Sequence, residues 1–126
     1  MKLLLDTHIV IWWPIGSSRL GTKARNLIAD AGTDLFVSAA SWWEISIKRA
    51  LGRIDIDPAK MRKALERREV HLLDVTFGHA EAAAALPAFH GDPFDRMLVA
   101  QASLEGLMLL TRDKRLEPYG SAVLTV

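Results

Sequence analysis

Four acidic side chains, far apart along the chain, are the residues best suited to chemistry. Asp6, Glu44, Asp95 and Asp113 each stand just after a short apolar run or near the start of a helical segment. Carboxylates that share a small space repel one another, which raises their pKa values. A divalent cation removes that repulsion, and oxygen ligands without cysteine favour Mg²⁺ or Mn²⁺ over Zn²⁺. Such an ion lowers the pKa of a bound water and clamps a phosphodiester, so the pattern indicates phosphodiester hydrolysis.

Each acid also has a structural interpretation, because acidic residues cap helices and open turns. Ser41 with Glu44 and Asp92 with Asp95 have the spacing of capping boxes. Asp113 could cap the short turn Lys114–Leu116, and Asp6 could begin a turn with Thr7. Taken singly, Glu44 and Asp113 suit this interpretation, whereas Asp6 leaves an apolar strand where no helix start requires an acid. Four independent caps need not share one edge of a sheet, so a joint functional arrangement is the stronger hypothesis.

The elements that must position these acids are five short apolar runs separated by helical segments. Runs without polar alternation are typical of strands buried on both faces of a parallel sheet. Strands that alternate with helices predict an α/β fold, with a mostly parallel sheet and helices on both faces. The runs are Leu3–Leu5, Leu35–Val37, Val70–Leu73, Leu107–Leu110 and Ala122–Val126.

Five helices are predicted from apolar periodicity and from the capping residues, glycines and prolines at their ends. They are Thr22–Ala31, Ser41–Leu51, Pro58–Glu69, Gly78–Leu86 and Phe94–Glu105, while Gly16–Gly21 and Arg53–Asp57 are predicted loops. In open α/β sheets, ligands bind beyond the carboxyl ends of the strands. A helix that precedes a strand normally begins at that same edge. We therefore expect the four acids to meet at one edge of the sheet.

Four segments of the sequence resemble the signatures of the PIN-domain family, and more narrowly those of VapC-type ribonuclease toxins of toxin–antitoxin pairs. The segments are Leu3–His8 (LLLDTH), Val37–Ile45 (VSAASWWEI), His90–Arg96 (HGDPFDR) and Leu110–Asp113 (LTRD). Any one of them is weak evidence. All four in order, in a chain of this length, make the resemblance specific.

This resemblance implies a PIN-like three-layer α/β/α sandwich, formed as one domain over residues 1–126, and a Mg²⁺- or Mn²⁺-dependent endoribonuclease acting as a toxin. Asp6, Glu44, Asp95 and Asp113 match the family's catalytic acids, and Asp6, Asp95 and Asp113 match positions that hold metal or its waters. Glu44 matches the residue that orients or deprotonates the attacking water, and Thr111 the hydroxyl that orients the site. The family also implies RNA as substrate, a homodimer, and a cognate VapB-like antitoxin that blocks the site.

Three basic or imidazole side chains next to the acids are candidates for contact with substrate phosphates: His8, Arg96 and Arg112. The two arginines equally suit neutralisation of the adjacent carboxylates. For His8, as for His90, the ordinary alternative is a local hydrogen bond. The spacings of the four histidines match no ligand pattern, so we do not predict a metal site built from histidines.

Two pairs of tryptophans are unusual in so short a chain. Adjacent residues on a helix point about 100° apart, so one member of a pair can enter the core while the other faces outward. In Trp12–Trp13 and Trp42–Trp43 the outward member is a candidate anchor for an antitoxin helix or a dimer partner.

The composition limits what else the protein could do. Lysine and arginine total 16 and aspartate and glutamate 15, for a formal charge of +1, so any nucleic-acid binding must be local. The absence of cysteine excludes disulfide scaffolds and thiolate metal sites. Asp6 interrupts the apolar start of the chain and no spanning run follows, so a cytoplasmic protein without membrane contact is expected.

Three other functions remain open from the residues alone. A phosphatase with an aspartyl nucleophile requires a second acid two residues beyond Asp6, where this chain has His8. A non-catalytic phospho-acceptor or binding module could use the same acidic edge, although the terminal strand lacks the lysine of a receiver-like site. A chain that only binds an antitoxin is the third. Metal-dependent nicking of RNA separates a nuclease from all three.

Overall fold

A five-stranded β-sheet lies at the centre of the computed structural model, which describes residues 1–126. Its strands are β1 (Lys2–Leu5), β2 (Asp34–Ser38), β3 (His71–Leu73), β4 (Met108–Thr111) and β5 (Val123–Thr125). They lie in the order β3-β2-β1-β4-β5, and every pairing is parallel. The five predicted strands are confirmed, with ends that shift by at most one residue.

Six α-helices accompany the sheet, and five of them are the predicted ones. They are α1 (Thr7–Trp12), α2 (Thr22–Ala29), α3 (Ala39–Ala50), α4 (Pro58–Glu66), α5 (Phe77–Ala85) and α6 (Pro93–Glu105). The 3₁₀ helix Ser18–Leu20 lies within the predicted loop before α2, and a second, Lys114–Tyr119, follows β4. None of these helices has the length and apolar character needed to cross a bilayer.

Helix α1 is the element that the sequence patterns do not predict. Its β-branched residues Ile9, Val10 and Ile11 disfavour a helix intrinsically, and Pro14 follows closely. Ile9 and Val10 are fully buried against the sheet. Their burial outweighs the small cost in helix propensity, because tertiary packing routinely overrides propensity over so few residues.

Helix α3 begins earlier than predicted, and this changes the position of Glu44. Ser38, the last residue of β2, is the N-cap, and its hydroxyl accepts a backbone N–H of the first turn at 3.0 Å. The capping box expected between Ser41 and Glu44 is therefore wrong. The Ser41 hydroxyl instead accepts a hydrogen bond from Thr7 on α1, and Glu44 lies in the second turn of α3.

Helix α6 begins and ends where its sequence predicts. The Asp92 carboxylate caps the helix by accepting the backbone N–H groups of Phe94 and Asp95 at 2.8 and 3.1 Å. Pro93 occupies the first helical position, where no N–H is needed. The helix ends at Gly106, whose φ of 67° lies in the left-handed region that glycine adopts without strain. These two boundaries fix Asp95 in the first turn.

The sheet separates two hydrophobic clusters, because successive residues of a strand point to opposite faces. Leu3 and Leu5 of β1 belong to the cluster that covers α1 to α4. Leu4, between them, belongs to the cluster on the other face, with Leu98 and Val99 of α6, and α5 packs on α6. This arrangement confirms the predicted three-layer α/β/α sandwich.

Candidate active site

Asp6 leaves the central strand at the carboxyl edge of the sheet. Its backbone N–H donates to the carbonyl of Leu110 on β4 at 3.0 Å, and its residue surface is only 3% exposed. The Thr111 hydroxyl donates to Asp6 Oδ2 and accepts the backbone N–H of Asp113 at 3.0 Å. Burial raises the pKa of Asp6 above its ordinary value. Thr111 thus links two of the predicted acids, as expected of a residue that orients them.

Burial and the charges of neighbouring acids both act on the carboxyl group of Asp95. Burial, followed by the charges of Asp6, Asp92, Glu44 and Asp113, raises its pKa from 3.8 to about 7. Its side chain does not complete a capping box with Asp92, because the Asp92 N–H donates to His90 Nδ1 at 3.0 Å. The carboxylate of Asp95 is therefore free for another role.

Asp113 lies where sequence analysis places it, as the N-cap of the 3₁₀ helix Lys114–Tyr119. Arg115 donates to both of its carboxylate oxygens, from Nε at 2.9 and 3.1 Å and from Nη2 at 2.7 Å. These bonds lower the pKa of Asp113 to about 2. The carboxylate is thus fully ionised near neutral pH, although one arginine already binds it.

Glu44 is buried on α3, and its two oxygens have different surroundings. Lys48, one turn along the helix, lies 2.8 Å from Oε2. The other oxygen, Oε1, is buried and has no hydrogen-bond partner. A buried carboxylate oxygen without a partner is costly, and it is available to accept a proton or hydrogen bond from a ligand.

The structure brings the four predicted acids together, as the sequence patterns lead us to expect. Asp6, Glu44 and Asp113 are all close enough to raise the pKa of Asp95, although the four lie on or beside β1, α3, α6 and β4. His90 joins them, and one potential ligand atom each of His90, Asp95 and Asp113 lies within 4.8 Å of the others.

The residues present fit a divalent cation. The donors are mainly carboxylate oxygens, which Mg²⁺ and Mn²⁺ prefer. Burial and mutual repulsion raise the pKa values of Asp6 and Asp95, and a cation would relieve both effects. The unpartnered oxygen of Glu44 adds an acceptor at the same place.

An open cleft beside the acids contains two of the three candidate phosphate-binding side chains. His8 and Arg112 line it together with Asp6, Asp113 and Trp12. His8 is stacked on Trp12, with ring centroids 5.4 Å apart, and Arg112 Nη1 donates to the carbonyl of Arg19 at 2.8 Å.

The Arg96 guanidinium binds backbone oxygens and forms no ion pair with the four acids. Its guanidinium donates to the carbonyls of Ala83, Leu86 and Pro87 at 2.9 to 3.0 Å, and to the Tyr119 hydroxyl at 3.2 Å. These contacts direct the charge to the end of α5 and the loop after it, so the side chain fixes that loop. A phosphate contact by Arg96 stays a prediction, and Nη1 and Nη2 would have to leave these oxygens to make it.

The sequence patterns do not predict three residues that lie beside the acids in the structure. They are Lys48, His90 as a member of the acid cluster, and Arg115. Lys48 could have been predicted, because it follows Glu44 at the i,i+4 spacing at which helical side chains pair. No comparable pattern identifies the other two, because their positions depend on how loops at different points of the chain pack together.

The family model of the PIN domain matches residues 3–120 of the sequence. The chain belongs to the PIN-domain family. Ribonuclease VapC22 from Mycobacterium tuberculosis (strain ATCC 25618 / H37Rv) is 34% identical to this PIN domain over 119 residues, which cover 93% of this chain and 91% of the relative. The resemblance drawn from the four sequence segments is confirmed.

Solved structures of two toxin–antitoxin complexes share the fold. A toxin–antitoxin complex from Klebsiella pneumoniae matches with a TM-score of 0.70 at 21% identity, covering 98% of this chain and 96% of that one. VapBC2 from Rickettsia felis, bound to a DNA fragment from its promoter, matches with a TM-score of 0.68 at 12% identity, covering 100% and 98%. At these identities the likeness establishes the α/β/α fold.

Proposed function

We propose that this PIN domain is an endoribonuclease that hydrolyses RNA phosphodiester bonds with the help of Mg²⁺ or Mn²⁺. The observation that carries the proposal is the convergence of the acids: Thr111 binds both Asp6 and Asp113, and Asp95 and Asp113 each have a carboxylate oxygen within 4.8 Å of the other. The raised pKa of Asp95, caused first by burial and then by charges that include Asp6 and Glu44, agrees with this. Only Asp113 of the four caps a helix with its side chain, so capping does not explain why acids from four elements meet at one edge. The relative that is 34% identical is named a ribonuclease, which supports RNA as the substrate.

In this proposal Asp6, Asp95 and Asp113 would hold the cation. When bound, the ion supplies a lowered pKa for an attacking water and positive charge for the phosphodiester oxygens. Thr111 fixes the orientation of Asp6 through its hydroxyl. Arg115 has to release Asp113, at least in part, and its exposed side chain can do so.

Glu44 is the proposed general base. Lys48 holds Oε2 at 2.8 Å, which leaves Oε1, free of protein partners, to accept the proton of the attacking water. A general base of this kind contributes about 10²- to 10⁴-fold to a rate. His8 and Arg112, which line the adjacent cleft, are the proposed contacts to the phosphates on either side of the cleaved bond.

We propose further that the protein acts as the toxin of a pair and that an antitoxin covers this site. Trp43 supports a partner surface: it is 65% exposed, follows the half-buried Trp42, and packs edge to face on Phe94 at 5.3 Å. Phe94 precedes Asp95, so this aromatic pair borders the acids. Large exposed aromatic side chains are frequent anchors in protein interfaces.

A homodimer is the last part of the proposal. Leu72, Val75 and Phe77 are 48%, 40% and 90% exposed, and they follow one another along the edge strand β3 and the start of α5. Exposed apolar side chains grouped in this way mark interaction surfaces. The unpaired edge of β3 adds hydrogen-bonding groups to the same surface.

The variant Asp6→Asn tests the proposed function. Asp6 is buried, but asparagine has nearly the same shape and can still accept the Thr111 hydrogen bond. We expect the variant to fold and to lose cleavage by at least about 100-fold, since the cation contributes several kcal/mol to such reactions.

The measurement is the mapping of cleavage sites on total RNA, with and without Mg²⁺, for the wild type and Asp6→Asn. Asp30→Asn is the control, because Asp30 is an exposed acid at the end of α2, and it should cleave like the wild type. Full cleavage by a well-folded Asp6→Asn variant would refute the proposed site.

A further inference from the structure

His90 has a buried nitrogen directed at two of the acids. The side chain is 8% exposed, and Nε2 lies 3.5 Å from Asp95 Oδ2 and 3.4 Å from Asp113 Oδ2. Both distances exceed the usual N–H···O separation of about 2.9 Å, and Nε2 has no hydrogen-bond partner. This nitrogen therefore points into the gap between the carboxylates without pairing fully with either.

The other ring nitrogen decides what Nε2 can do. Nδ1 accepts the backbone N–H of Asp92 at 3.0 Å, so Nδ1 carries no proton, and the proton of the neutral ring is on Nε2. A nitrogen that carries a proton has no lone pair to offer a metal ion. His90 is thus a hydrogen-bond donor at this site and not a ligand, although its position alone resembles that of a ligand.

The loop that carries His90 is held firmly in place. The His90 backbone N–H donates to the Tyr119 hydroxyl at 3.1 Å, and Arg96 binds the same hydroxyl and the carbonyl of Pro87. The ring is also fixed by its bond from Asp92, which caps α6. Asp95 and Asp113 belong to separate elements, so a rigid donor between them can set their spacing.

Resting on the proposed nuclease function, we propose that His90 is a positioning residue that holds Asp95 and Asp113 at the spacing a divalent cation requires. Its Nε2–H attracts both carboxylates toward the gap. This pull opposes their mutual repulsion and the pull of Arg115, which binds Asp113 Oδ2 at 2.7 Å from the solvent side. Groups that orient metal ligands in this way contribute about 10- to 100-fold to metal affinity.

Two neutral substitutions separate this role from its alternatives. His90→Asn keeps an acceptor at the position of Nδ1 for the Asp92 N–H and removes the donor. His90→Gln reaches the position of Nε2 with an amide N–H and loses the acceptor. We expect His90→Asn to bind Mn²⁺ about 10-fold or more weakly than the wild type, and His90→Gln to stay close to wild-type affinity, both by calorimetry.

The opposite result, with wild-type affinity in His90→Asn and weak binding in His90→Gln, would show that His90 only caps the Asp92 N–H. Weak binding by both variants would overturn the positioning role in favour of direct ligation. A measurement on the unsubstituted protein checks this without any variant: electron spin-echo spectroscopy of bound Mn²⁺ with ¹⁵N-labelled histidine should show no directly coordinated nitrogen, and a directly coordinated nitrogen would refute the proposal.

Failure of this inference can be told from failure of the proposed function. If the wild type binds no Mn²⁺ and cleaves no RNA, the nuclease proposal fails, and the role of His90 fails with it. If the wild type binds Mn²⁺ and cleaves RNA while His90→Asn binds Mn²⁺ equally well, only the positioning role is wrong. Thermal unfolding of both variants without metal gives the control for folding.

Discussion

At the scale of single residues, Asp95 couples the acid cluster to pH. Its pKa in the folded protein is about 7 instead of 3.8, so the folded state binds a proton more tightly than the unfolded chain does. A raised pKa of an acid makes folding less favourable as pH rises between these two values. We therefore expect Asp95 to lower the free energy of unfolding of the metal-free protein from about pH 4 to pH 7, with no further loss above that range.

Urea denaturation of the metal-free protein at pH 5 and pH 7.5 measures this effect. Other groups titrate in the same range, so the comparison is with Asp95→Asn, which should lose less stability than the wild type over the same interval. Equal changes in the two proteins would contradict the raised pKa. Mg²⁺ competes with the proton on Asp95, so its apparent affinity should rise across the same interval.

Arg115 lowers the pKa of Asp113, whereas the pKa of Asp95 is raised. The hydrogen bonds of Arg115 are the main cause that holds the pKa of Asp113 at about 2. In Arg115→Gln we expect this pKa to rise toward its ordinary value of 3.8, as measured by NMR titration of the side-chain carboxyl carbon. Lys114→Gln removes the same charge from a neighbouring exposed residue and should change the pKa much less. A similar change in both variants would point to general charge rather than to the Arg115 hydrogen bonds.

The positions of Asp6, Asp95 and Asp113 could be predicted because each depends on a strand end or a helix start that the sequence patterns identify. The same patterns place Glu44 on the correct helix but in the wrong turn, because α3 begins earlier than predicted. Side-chain partners could not be predicted in the same way. Arg96 stands beside Asp95 in sequence, yet its guanidinium binds carbonyls at the end of α5. Arg115 binds Asp113 through a rotamer that no spacing rule specifies. These choices depend on which backbone oxygens the folded loops leave unpaired.

At the scale of elements, His79 of α5 connects this helix to α6 through a side-chain contact with Glu105. The residue is 1% exposed, its Nδ1 accepts the Thr76 N–H at 3.1 Å in a capping box, and its Nε2 lies 2.7 Å from Glu105 Oε1. Loss of the ring leaves the capped N–H and the carboxylate without partners. We expect His79→Ala to lower the free energy of unfolding by about 2 to 4 kcal/mol.

Chemical denaturation measures this change, and Glu81→Ala is the control because Glu81 is exposed on the same helix. That control should stay within about 0.5 kcal/mol of the wild type. A loss of equal size in both variants would mean that α5 is sensitive to any substitution, rather than to the buried ring.

Many element boundaries follow from local chemistry, but the presence of α1 and the start of α3 do not. The sequence predicts the start of α6 at Asp92–Pro93 and its end at Gly106. Helix α1 depends on burial of Ile9 and Val10, which local propensity does not report. The start of α3 depends on Ser38, which is at once the last residue of β2 and the helix cap. Where one residue serves two elements, a pattern read for each element separately misplaces the boundary.

At the scale of the whole molecule, the exposed apolar surface beside β3 gives a prediction about assembly. If the proposed homodimer uses Leu72, Val75 and Phe77, then Phe77→Ser should weaken it, because Phe77 is the most exposed large apolar side chain. Sedimentation velocity should show a shift toward monomer of at least about 10-fold in the dissociation constant, which corresponds to about 1.4 kcal/mol. Leu104→Ser, at an exposed leucine of α6, is the control, and equal weakening by both would place the interface elsewhere.

The overall architecture is predictable because apolar runs and helix periodicity determine an alternating α/β chain. The single domain over residues 1–126 and the dimer stay predictions, since assembly depends on surfaces that core patterns do not describe. The family resemblance adds the order of the layers, and the TM-score of 0.70 to a solved toxin–antitoxin complex confirms it.

The strand order has a consequence for the living cell. β1, at the very start of the chain, lies between β2 and β4, and the Asp6 carboxylate is oriented by Thr111, near the other end. A ribosome must therefore release β4 and the residues after it, up to Asp113, before the acids can assemble. A nascent chain that stops before β4 contains Asp6, Glu44 and Asp95 but lacks Thr111 and Asp113. Under the proposed function, such a truncated product should therefore leave RNA intact.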